Sequence, residues 1–156
     1  MNARTPYGQT NVAPERTMMA INKLLYSARC TGIQWTEVGD MIELRFVLMV
    51  EGRPLTIRLR PAMLTQTKRS QGRRGATVTM VNKSATMRLL FYYLKSQVEA
   101  VQSGLIDVRE AFLAHVVGRM ADGSEATVYE LIGPRLGNLV GSDLIRALPA
   151  PRGEEQ

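Results

Sequence analysis

The chain has 156 residues, 45% hydrophobic and 22% charged, enough for one sizeable core and too short for two full-sized ones. No stretch reaches the roughly 18 apolar residues of a membrane helix. One cysteine, Cys30, and one histidine, His115, exclude an intrachain disulfide framework and leave too few soft ligands for a thiolate- or imidazole-rich metal site.

Residues 1–13 hold Pro, Gly, Asn and Thr without period and read as a flexible tail with no apolar leader. Pro14 opens a helix, because a proline in the first turn lacks only an N–H that would have had no partner. Met18, Ile21, Leu25 and Ala28 give it one apolar stripe, and Gly32 ends it. A strand over 33–38 and a Gly39-Asp40 turn lead to the clearest strand, 41–50. There Ile42, Leu44, Phe46, Leu48 and Val50 share one face and Glu43, Arg45, Val47 and Met49 the other. The 51–54 turn and a second alternating run over 55–60 complete an antiparallel hairpin. Its outer face should present Arg45, Arg58 and Arg60 together to solvent.

Residues 65–75, TQTKRSQGRRG, are polar and basic and read as a flexible loop, followed by a short fourth strand over 76–81. A long helix over 84–103 places Met87, Leu90, Phe91, Leu94, Val98 and Val101 on one stripe, with Arg88, Tyr92, Lys95 and Glu99 off it. A capping box at Asp107 and Glu110 opens a third helix that is expected to continue through Phe112, His115, Val116 and Val117. After a turn at 121–124, Thr127 and Glu130 form a second capping box opening a last helical stretch that Pro134 interrupts. Residues 148–156 read as a second flexible tail, leaving a single domain over 14–147. Strands clustered before helices imply an α+β fold. Its antiparallel sheet should have three to four strands, with helices packed on one face and the arginine face left wet.

The charge is distributed unevenly. Ten basic residues fall between 53 and 98: Arg53, Arg58, Arg60, Lys68, Arg69, Arg73, Arg74, Lys83, Arg88 and Lys95, with no Asp or Glu among them. The other ten basic residues share the rest of the chain with all fourteen acidic ones, for a net +6. A long one-sign window suggests a polyanionic partner. A basic arm with Lys68, Arg69, Arg73 and Arg74 suits a phosphate backbone, and Arg45, Arg58 and Arg60 would form a platform beside it. Tyr92 beside Arg88 and Lys95, and Trp35 on the sheet, are candidates to stack bases, which favours single-stranded DNA. The alternative for each aromatic is a place on the core rim. The alternative for the charge run is a solubilising surface.

Residues 94–123, LKSQVEAVQSGLIDVREAFLAHVVGRMADG, carry Lys95 and Glu99 one turn apart, Gly104, the run Phe112-Leu113-Ala114-His115, and Asp122-Gly123. In these features the segment resembles small proteins of phages and bacterial mobile elements that have no assigned activity. The resemblance implies a mobile-genome origin and a bacterial cytoplasm; it transfers no catalytic residue.

No enzymatic constellation accompanies it. Cys30 lacks an evident base partner, and His115 among Phe112, Val116 and Val117 reads as a core or capping histidine. Asp107, Glu110, Asp122, Glu125 and Glu130 could in principle hold a divalent ion for nuclease chemistry, but capping accounts for most of them. The expected function is non-enzymatic nucleic-acid binding without a cofactor or metal, by a protein that also forms a homo-oligomer. A structural adaptor built through Val47, Met49 and the 84–103 helix is the second reading, and a metal-dependent nuclease the third.

Overall fold

The computed structural model describes residues 5–69 and 77–136. Helix α1 (Pro14–Ser27) buries Thr17, Ile21 and Leu25 at intervals of four. Strands β1 (Cys30–Val38), β2 (Met41–Val50) and β3 (Arg53–Leu59) follow. They form an antiparallel sheet in the order β1-β2-β3, so β2 is paired along both edges. The β2–β3 connection is Glu51-Gly52, both at positive φ (51° and 76°). That is the turn whose twist matches its strands, and the reason a glycine stands second.

Register fixes the faces. Leu44 lies opposite Trp35 on β1 and Leu59 on β3, and Phe46 opposite Ile33 and Ile57. Residues directly opposite in an antiparallel pair share a face. These apolar residues therefore meet Ile21 and Leu25 of α1 and Met87, Leu90 and Leu94 of α2 (Lys83–Gln102) in one cluster. Phe112 closes it, edge-on to Phe46 with ring centroids 5.6 Å apart. Burying a side chain of this size stabilises by roughly 1.5–3 kcal/mol. The chain is thus α+β, with a three-stranded antiparallel sheet, two further hairpins, and α1 and α2 on the sheet.

The expected fourth strand exists but does not join this sheet. Strand β5 (Thr77–Val81) pairs only with β4 (Thr65–Arg69), as a separate two-stranded ribbon. The segment 65–69 is therefore strand and not loop: its Thr-Gln-Thr alternation was hidden by its polarity. The rest of the expected loop, with Arg73 and Arg74, lies outside the described residues, as does the tail 148–156. Residues of the expected N-terminal tail are engaged. Thr5 Oγ1 donates to the Thr65 carbonyl (2.9 Å), and Tyr7 stacks on Tyr92 at 5.2 Å between centroids.

The third helix is short. Helix α3 (Val108–Phe112) runs into a single 3-10 turn (Leu113–His115), and Val116–Val117 are extended, not helical. Val116 bridges to Ile57 at the outer edge of β3. The chain passes that edge and forms a hairpin of β6 (Val117–Arg119) and β7 (Glu125–Thr127), turning at Asp122-Gly123. Helix α4 (Val128–Leu136) follows. Its capping box forms as expected: Glu130 accepts from the Thr127 N–H (2.7 Å), and the Glu130 N–H donates to Thr127 Oγ1 (3.2 Å). Among the described residues no helix is long and apolar enough to cross a membrane.

Candidate nucleic-acid interface

Alternation does bring Arg45 and Arg58 onto one face, directly opposite each other across the β2–β3 pair. That face is only partly open to solvent: the Arg45 side chain is 27% exposed and that of Arg60 46%. The β6–β7 hairpin and the start of α4 supply carboxylates to it, and Arg58 is only 4% exposed. Arg45 donates to Glu43 on its own strand (2.6 Å) and to Glu125 of β7 (2.7 Å). Arg58 pairs with Glu130 of α4. Arg60 pairs with Glu43 and, at 3.5 Å, with Glu130. Three arginines thus meet three carboxylates, and Glu43 is 6% exposed at the centre. Burial works to raise the Glu43 carboxyl. The hydrogen bonds and charges of Arg45 and Arg60 outweigh it and hold Glu43 below its ordinary value. The hydrogen bond from Arg45 does the same for Glu125. The Thr127 N–H, followed by Arg58, does so for Glu130, against a modest burial effect.

The expected cationic platform is therefore neutralised inside the molecule. The reason is tertiary: two of the three partner acids lie far along the chain, Glu130 in a capping box and Glu125 among the acids weighed in sequence only as ligands of a divalent ion. Glu43 was legible, since it shares the face of Arg45, but its burial depends on what covers it.

The remaining candidates divide. Lys83 pairs with Glu37 of β1, and Lys95 with Glu99 at 3.6 Å. Arg88 lies over the rings of Phe91 (5.4 Å) and Tyr92 (5.1 Å) and donates to the Tyr92 hydroxyl. Tyr92 already carries Tyr7 on its face, so it offers no free stacking surface there. Trp35 is on the helix-covered face, opposite Leu44, and its indole N–H donates to Asn22 of α1 (2.9 Å). It is a core-rim residue and not a neighbour of Arg58. Arg53 is exposed at the start of β3.

The ribbon remains. Lys68 and Arg69 occupy its last two rungs, opposite Val78 and Thr77. Arg73 and Arg74 belong to the connection beyond them. All five residues of β5 are exposed, Val78, Met80 and Val81 included. Asn82 anchors the base: its amide donates to Gly8 and Gln66, its side-chain oxygen caps α2 at the Ala85 N–H, and its own N–H donates to Leu64. Helix α2 starts there without an acidic residue in its first turn, so its positive pole adds to the ribbon's charge.

Among the described residues, catalytic groups do not converge elsewhere. Cys30 is buried and donates to the Gly32 carbonyl. His115 is half-buried with Nε2 2.9 Å from the Tyr93 hydroxyl; burial lowers its pKa and raises that of Tyr93. Among the described residues no three His, Cys, Asp or Glu gather as a metal site. A 370 Å³ cavity between the ends of α1 and α2 is lined by apolar side chains plus Arg29 and Gln102, and offers no nucleophile, acid or base. No protein-family model, curated protein or solved structure matches this chain.

Proposed function

We propose that the protein is a non-enzymatic nucleic-acid-binding protein whose contact element is the basic β4–β5 ribbon. The observation that carries this reading is a division of labour among the cations. Arg45, Arg58 and Arg60 are paired with carboxylates, whereas Lys68, Arg69, Arg73 and Arg74 fall in the sequence between the start of β4 and β5, inside a run with no acid from residue 52 to 98. A two-stranded ribbon has the width that a duplex major groove admits. Single-strand preference was expected from a wet arginine face and from Trp35 and Tyr92; with that face covered and both rings engaged, duplex DNA becomes the favoured form. The resemblance of residues 94–123 to phage and mobile-element proteins supports that setting.

Binding to fluorescent duplex and single-stranded oligonucleotides across a salt series tests the reading. Neutralising each phosphate steepens the log–log salt slope by about 0.9 on duplex. The quadruple variant K68A/R69A/R73A/R74A is expected to flatten that slope by roughly 3–4. Absence of binding by the wild type at low salt ends the proposal.

A second reading, self-association, has its own support. No strand pairs with the outer edge of β1 among the described residues, and β5 exposes Val78, Met80 and Val81. A mass measurement in solution that returns only monomer over the micromolar range removes it.

A further inference from the structure

The three arginines of the sheet form a cradle that the chain fills with its own acids. Glu125 and Glu130 stand where anionic oxygens would stand on a ligand, one against Arg45 and one against Arg58 and Arg60. One donor is left over. The Arg58 Nε is buried and meets no acceptor among the described residues, although its neighbouring guanidinium nitrogen is paired. Glu130 engages only one nitrogen of Arg58, so Nε is a spare donor that a second anionic oxygen, such as one of a phosphate pair, can take.

The segment bringing these acids is held mainly by charge. Of residues 117–136 only Thr127 is buried, and α4 buries none of its side chains. Its strands are three residues each and form a separate two-stranded sheet, of which β6 lies against the edge strand β3. Glu125 and Glu130 are themselves exposed (38% and 40%), so their side of each pair is open to screening by salt and to a competing polyanion, although Arg58 is buried.

We propose that residues 117–136 are a displaceable cover and that Arg45, Arg58 and Arg60 are a second phosphodiester-binding site, shielded in the free protein by Glu125 and Glu130 as internal phosphate mimics. This rests on the nucleic-acid reading above. The ribbon makes first contact, and the cover exchanges its carboxylates for backbone phosphates. The sheet face then extends the footprint.

The test uses the full chain with two double variants of equal charge. E125Q/E130Q weakens the shield, and Gln at position 130 still serves the capping box. E15Q/D40N removes two acids from α1 and the β1–β2 turn and controls for net charge. On a duplex oligonucleotide, E125Q/E130Q is expected to bind about 10-fold more tightly than E15Q/D40N, with a steeper salt slope. Equal affinities overturn the cover while leaving the ribbon reading intact. Hydrogen exchange of the free protein supplies a readout without nucleic acid. Raising salt from roughly 50 to 500 mM, or introducing E125Q/E130Q, is expected to speed exchange at 117–119 and 125–136 while β2 stays protected. Should no variant bind any oligonucleotide, the ribbon and cradle readings both fall. Unchanged exchange over 117–136 shows that the segment is not displaceable, whatever the binding result.

Discussion

Glu43 and Glu125 both pair with Arg45, yet they should behave differently when neutralised. Glu43 lies buried on the central strand and accepts charged hydrogen bonds from two arginines. Removing its charge weakens two charged hydrogen bonds at a carboxyl group that water reaches poorly. Glu43→Gln is expected to cost about 2 kcal/mol, read as a lower urea midpoint with unchanged slope. Glu125 is well exposed, and Glu125→Gln should cost under about 1 kcal/mol. A midpoint for Glu43→Gln indistinguishable from wild type would mean that the network adds nothing to the sheet.

Two elements depend on single side chains at their starts. Asn82 caps α2 and also ties Gly8 and Gln66 to the ribbon base. Asn82→Ala should cost about 1–2 kcal/mol, more than an ordinary cap, because three attachments go at once. The same change should raise exchange in β4 and β5 without touching β2. Thr127→Ala should cost about 1 kcal/mol, confined to α4 and seen as lost amide protection there. The Thr127–Glu130 box is local, so it was legible from two residues and their spacing, whereas the Asn82 cap at the head of α2 was missed. The β6–β7 hairpin was not: its strands are too short to show alternation, and its apolar Val116 and Val117 continue a helical rhythm by coincidence.

At the scale of the molecule, acid should act through the network. Glu43, Glu125 and Glu130 all titrate below their ordinary values in the folded state. Their contribution is therefore complete above the unfolded carboxylate pKa of about 4.3 and is lost as pH falls from there through the lower folded values. His115, lowered by burial, adds an earlier decline as pH drops below about 6.5, because the unfolded imidazole takes up a proton more readily. Thermal midpoints measured from neutral pH to about pH 3 should fall in these two stages. His115→Gln should remove the first stage and Glu43→Gln should blunt the second. A profile unchanged by both variants would contradict this assignment.

Periodicity by itself determined the α+β class, three strands over 33–38, 41–50 and 55–60, the two long helices and the core stripe, though β1 begins at Cys30, where the first helix was expected to run on to Gly32. Each of those signals is carried by neighbours within one element, where spacing dictates which side chains share a face. The uneven charge was equally plain, with ten cations and no acid across 46 residues. Whether those cations were free was decided only in three dimensions. Alternation put Arg45 and Arg58 on one face, but Glu125 and Glu130 return from some 80 and 72 residues away to meet them. Pair electrostatics depends on distance in space and on burial, and neither is a function of separation along the chain. Tertiary packing therefore turned an expected docking platform into an internal ion-pair network.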